Sequence, residues 1–167
     1  TAGLFGYNIG DTIRFVSKSP YRIMVTGRIK HFTSAFGEHV IAEEAELALL
    51  NAMRQTHCGV TEFTVAPQVN PVEGLPYHEW FVEFSKAPHS ISEFASVADT
   101  ILQQQNPYYK DLRQGNVLKQ LVVRKMKPDT FVDYMKQQGK LGGQNKVPRL
   151  TNDRLIANAL TAFIAEA

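Results

Sequence analysis

The chain has 167 residues, 44% of them hydrophobic, 20% charged and 10% aromatic, with a formal net charge of +2. These values are those of an ordinary globular protein and exclude disordered and collagen-like chains. At this length a fold buries roughly 68–70% of the extended surface, enough for one sizeable core or a small domain with an appendage. The single cysteine, Cys58, cannot form an internal disulfide and fits a reducing, cytoplasmic setting. No apolar run nears the ~20 residues that cross a bilayer, so no membrane partner is expected. The first residue is Thr1 rather than Met, and a processed product or a piece cut from a longer chain is expected.

Charge is unevenly spread. Residues 38–99 hold ten Asp and Glu against two Lys and Arg, whereas residues 119–149 hold eight Lys and Arg against two Asp. A basic segment beside an acidic one implies either a solvated face or a surface that meets anions. The basic residues are not interleaved with stacking aromatics and no nucleic-acid motif is present, so no nucleic-acid partner is expected.

In chain order, Gly3, Gly6 and Gly10 punctuate an irregular start. Residues 12–16 and 22–26 alternate apolar and polar around the stretch 17–21, which predicts a β-hairpin with a longer loop. Residues 41–55 are rich in strong helix formers, with Ile41, Ala45, Ala48, Ala52 and Met53 close to one face. Val60 to Val65 reads as a strand. His78 to Phe84 is a clearer one, with Trp80, Val82 and Phe84 on a single face. Glu79 and Glu83 share the other face and read as a solvated sheet edge rather than an acid/base pair.

Ser90 and Glu93 form a capping box before a helix carrying Phe94, Ala98, Ile101 and Leu102. Asn106 and Pro107 open another helix. Leu118 to Met126 predicts a strand, and Asp129 is expected to cap a short helix ending at Gly139. Residues 151–153 open a final helix with the stripe Ile156, Leu160, Phe163 and Ile164. The fold class is therefore α+β: a small mixed or antiparallel sheet flanked by helices, preceded by a β-hairpin.

Five histidines and one cysteine lack paired zinc-type spacing, so no metal site is expected. No nucleophile elbow or comparable local signature is present. Residues 140–149 carry more chemistry. Gly142 and Gly143 free the backbone, Gln144 and Asn145 supply polar groups, and Lys146 and Arg149 present cations on a turn stiffened by Pro148. Such a loop can neutralise a phosphate or carboxylate, although its spacing is not that of a P-loop. On composition alone it reads as a plain surface loop.

Three stretches in order carry a resemblance. They are Asn8-Ile9-Gly10-Asp11, Thr26-Gly27-Arg28-Ile29-Lys30 after the hairpin, and Gly37-Glu38-His39-Val40. Together they resemble the end of the large domain, and the hinge, of adenylate-forming enzymes. Residues 134–149, running from Tyr134 and Met135 through Gly139 and Lys146 to Arg149, are more particular. They resemble the C-terminal domain of the auxin-responsive acyl-acid amido synthetase family, on its bacterial branch, and the similarity runs from about Leu4 to Leu160.

The resemblance implies that residues 1–30 end a large adenylation domain and form the hinge, and that residues 31–167 are the C-terminal lid domain. It gives Asp11 the ribose hydroxyls of ATP, Arg28 the nucleotide phosphates or ribose, and Lys30 the hinge. Gly37 falls on a loop that faces the active site in the second half-reaction. Lys146 matches the catalytic lysine that bridges the substrate carboxylate and the α-phosphate. The implied whole enzyme is an ATP-dependent ligase that uses ATP with Mg2+ and joins a carboxylic acid to an amine such as an amino acid. On this reading the chain alone is inactive, binds no cofactor, and has the large domain of the same protein as its partner. The alternative is a non-catalytic binding module that keeps the lid fold.

Overall fold

Alternation of side chains along residues 63–68 and 77–84 builds the centre of the molecule. The computed structural model describes residues 11–28, 32–140 and 146–165. β1 (Asp11–Lys18) and β2 (Tyr21–Arg28) form an antiparallel hairpin, and β3 (Phe32–Thr33) pairs antiparallel with β4 (Val40–Ile41). Next come α1 (Ala42–Gln55), β5 (Gly59–Gln68), β6 (Tyr77–Lys86), α2 (Ile91–Gln105) and α3 (Pro107–Gln114). The chain ends with β7 (Val122–Lys125), α4 (Thr130–Gln137), α5 (Leu155–Leu160) and a 3-10 turn, Thr161–Phe163. The main sheet runs β5-β6-β7, its first pair antiparallel and its second parallel. The expected α+β class holds, and of the two sheet types the mixed one is found.

Both faces of this sheet are covered. Phe63, Val65, Trp80 and Val82 point to one side and pack with Ala45, Ala48, Leu49 and Ala52 of α1 and Phe94, Ala98 and Leu102 of α2. Alanines at the helix contacts let α1 and α2 approach closely. Phe63 stacks on Trp80 with ring centroids 5.8 Å apart. Ala66 and Phe81 point the other way, into a second cluster with Met126, Phe131, Val147, Ala157 and Leu160. Trp80 is wholly buried at the centre, where truncation to alanine costs about 3–5 kcal/mol.

Several local expectations need correction. The hairpin turn is shorter than expected, because β1 and β2 extend to Lys18 and Tyr21. The strand expected over residues 118–126 is reduced to Val122–Lys125. Its first residues are drawn off the ladder, since Lys119 N–H donates to the Pro76 carbonyl and Leu121 N–H donates to Asp99. Asp129 stands before α4 with φ +62° and makes no side-chain cap. Instead Glu83 reaches from β6 to the helix start, accepting from Asp129 N–H at 3.0 Å and Phe131 N–H at 3.3 Å. Glu79 is no solvated edge either: buried on β6, it receives Arg124 at 2.7 Å and Arg154 at 2.6 Å. Attraction to Glu79 raises the Arg124 pKa even though burial pulls it down.

Asp99 of α2 ties the helical layer together. Its carboxylate accepts the Tyr109 hydroxyl at 2.6 Å, Arg113 Nε at 3.1 Å, Gln103 at 2.7 Å and Leu121 N–H at 3.1 Å. Burial, and then the neighbouring Asp99 charge, push the Tyr109 pKa well up. The folded chain therefore holds this proton more tightly than the unfolded chain, so the contribution is intact below the ordinary tyrosine range and is lost as pH rises above about 10. Tyr109→Phe is expected to cost about 1.5–3 kcal/mol in urea denaturation at pH 7. It should also flatten the fall of stability above pH 10, and an unchanged alkaline slope would count against the role given to this hydroxyl.

Candidate functional site

The segment that follows the glycine-rich loop is laid along the outer edge of β5. Val65 N–H donates to the Arg149 carbonyl at 2.9 Å, and Thr151 N–H donates back to the Val65 carbonyl at 3.0 Å. This makes a parallel bridge between Val65 and Leu150. Strand edges carry unpaired N–H and C=O groups that need partners, and here the chain's own C-terminal part supplies them. Val147 is buried in the cluster around Phe81, and Leu150 in the cluster around Trp80. Lys146, the residue just before this strap, is exposed, and among the described residues it meets no carboxylate in an ion pair.

Arg149 behaves differently from the expectation that it presents a second cation. Its guanidinium lies 4.8 Å over the Phe63 ring and pairs with Glu62 and, at 3.4 Å, with Glu46. It walls a groove of about 310 Å³ between α1 and β5, lined also by Leu49, Leu50, Met53 and Val60. Two carboxylates against one guanidinium leave this groove without an excess of positive charge, so it is not built for an anion. Of the two cations read from the sequence, Lys146 alone stays presented to solvent.

The segment 32–39 is fastened to the same strap. Thr33 Oγ1 donates to the Thr151 carbonyl at 2.9 Å. The Asn152 side chain accepts from Ser34 N–H at 2.8 Å and donates to the Phe32 carbonyl at 2.8 Å, so one amide group pairs with the backbone as a strand edge would. Gly37 lies in the turn with φ +88°, and no atom lies within 4 Å of the position its Cβ would take. Glu38 turns inward and is completely buried, with its carboxylate accepting Phe36 N–H at 2.8 Å and meeting His78 Nε2 at 2.9 Å. The structure thus brings the Gly37 turn and the base of Lys146 onto one frame through residues 151 and 152.

For the remaining candidates, Asp11 and Arg28 are opposite one another in the β1–β2 register, but their side chains lie outside the described residues, as does Lys30 entirely. Thr64, whose hydroxyl donates to the Pro148 carbonyl, and Asn152 anchor the strap and the turn; neither role, nor the Glu38–His78 pair, is legible in the sequence. A threonine in a strand and an asparagine before a helix look like ordinary β and cap residues. An acidic residue beside a glycine looks like a solvated turn. Nothing in residue type or spacing separates these roles.

Gly37→Ala is expected to destabilise by roughly 1–2 kcal/mol, because an L side chain at this φ crowds its own backbone. Since the space around it is open, the loss should come from conformation alone and should be matched by other β-carbon-bearing residues of similar propensity. Denaturant melts of Gly37→Ala and Gly37→Ser check this, and wild-type midpoints in both would overturn it.

Residues 43–155 match the family model described as the GH3 family C-terminal domain. No curated protein matches the chain. Among solved structures, a GH3.15 acyl acid amido synthetase superposes with a TM-score of 0.77 at 18% identity, covering 98% of this chain and 32% of its own. A structure of AtGH3.15 acyl acid amido synthetase in complex with 2,4-DB gives a TM-score of 0.75 at 16% identity, covering 98% and 31%. The chain thus spans about a third of the length of the solved proteins it matches. The family expected from the sequence is the one found, and the chain belongs to the GH3 family through its C-terminal domain.

Proposed function

We propose that this chain is the C-terminal lid, with the tail of the large domain, of an ATP-dependent acyl-acid amido synthetase. The observation that supports it best is the presentation of Lys146: an exposed ammonium directly before a segment locked to the β5 edge. In the reaction, a carboxylate oxygen attacks the α-phosphorus of ATP, and pyrophosphate leaves. Two anions must meet in that step, and an ammonium between them offsets their repulsion. An amine then attacks the acyl carbon of the adenylate, an amide bond forms, and AMP leaves while the amine gives up a proton.

On this reading residues 1–30 close the large domain and form the hinge around Lys30, with Asp11 and Arg28 on the nucleotide, and residues 31–167 swing as the lid. The hairpin supports a large partner within the same polypeptide. Ile13, Phe15, Val16, Tyr21, Ile23 and Val25 are all exposed on it, and adjacent apolar exposure of this kind marks a surface that another body covers. Rotation at the hinge lets one site serve both half-reactions, with Lys146 used in the first and the Gly37 turn in the second. The setting is cytoplasmic and the second substrate an amino acid.

In the full-length protein, Lys146→Ala is expected to slow acid-dependent pyrophosphate release by about 100-fold or more, on the scale of losing one electrostatic group aimed at developing charge. Normal release by that variant would refute the role of Lys146. The chain of residues 1–167 by itself should give no resolvable heat with ATP in titration calorimetry, and tight binding there would count against a site completed by the missing domain.

A further inference from the structure

Thr64 sits on β5, 1% exposed, on the sheet face that carries Val147. Its hydroxyl donates to the Pro148 carbonyl at 2.7 Å across 84 residues of sequence. We infer that Thr64 is a positioning residue for Lys146, setting the direction in which the lysine leaves the fold. The inference rests on the reading of Lys146 given above.

Between Lys146 and the first backbone pairing with β5 stand only Val147 and Pro148. Proline has no N–H and a fixed φ, so the one backbone group of Pro148 that can be held is its carbonyl. Thr64 holds it. Val147 then buries its side chain among Phe81, Phe131 and Leu160, and Lys146 is the next residue out. The Pro148–Arg149 peptide is therefore held by one hydroxyl, and Val147, just before the proline, by its own buried side chain. Without the hydroxyl, the half-buried Pro148 carbonyl loses this partner and turns toward water; because the proline ring fixes φ, that rotation at ψ of Pro148 shifts the ring and with it Val147 and Lys146. A displacement near 1 Å at a reacting centre can cost on the order of 100-fold in rate.

Thr64→Val keeps the shape and removes the hydroxyl, whereas Thr64→Ser keeps the hydroxyl. In full-length protein, Thr64→Val should lower kcat for acid-dependent pyrophosphate release by about tenfold, with KM for ATP within about twofold of wild type. Thr64→Ser should restore kcat to within about twofold. Combined with Lys146→Ala, Thr64→Val should add no further loss, since a residue acting through the lysine has nothing left to position. A wild-type kcat in Thr64→Val, full additivity with Lys146→Ala, or no rescue by Thr64→Ser at a recovered melting temperature would each overturn the inference. Where Lys146→Ala slows the reaction and Thr64→Val does not, the positioning role alone falls. Where Lys146→Ala leaves the rate unchanged, the reading of Lys146 falls and this inference with it.

Discussion

An unpaired strand edge is the constraint from which the arrangement follows. A three-stranded sheet has two open edges, and each backbone group left there must find water or a partner. In this fold both edges are met by short pieces of the C-terminal part. Residues 149–151 pair with Val65 of β5, and residues 163–165 pair with β7 through Lys125, Met126 and Lys127. The first of these pieces brings the end of the glycine-rich loop to a fixed line on the sheet. A surface loop with an exposed lysine thereby gains a defined exit point without any regular element of its own.

The charge asymmetry of the sequence has a related origin. Read linearly, an acidic middle and a basic later segment point to an anion-facing surface. In three dimensions part of that difference is internal complementarity. Arg124 and Arg149 from the basic stretch pair with Glu79, Glu62 and Glu46 from the acidic one, and Arg154 joins them at Glu79. Glu83 spends its charge on the N–H groups at the start of α4, where the helix dipole favours an anion. Taking a carboxylate out of water is costly unless it is paired and hydrogen-bonded. Glu79 and Glu83 are buried and meet that condition, so they read as framework.

How far the sequence predicted this depended on the range of the interactions. The amphipathic face of α1, the capping of α2 by Ser90 and of α3 by Asn106, and the buried face of Trp80, Val82 and Phe84 are set by neighbours three or four residues away or by strict alternation. They were legible. Glu79 and Glu83 were misread because alternation tells which face a residue takes, not whether that face is covered, and α4 and α5 cover it. Asp129 was misread because its helix is capped by a residue 46 positions earlier. Thr64 and Asn152 act across 84 and 118 positions, and no local pattern encodes such a pairing. The family was reached by ordered motifs instead, which carry long-range information that periodicity lacks.

The same long-range ties bear on how a lid could serve two reactions. A turn and a loop carried separately on the surface would each relax on their own, and swinging the domain would exchange one poorly placed group for another. Here Thr33 and Ser34 are bonded to Thr151 and Asn152, and Thr151 is bonded to Val65. The Gly37 turn is held from its other side by Glu38, which anchors it to His78 at the start of β6. Both presenting segments thus hang from the central sheet and from each other. Under the proposed function, the conformational freedom needed for catalysis is then confined to the hinge, because a frame that keeps Lys146 and the Gly37 turn in fixed relation lets one rotation withdraw the first and deliver the second.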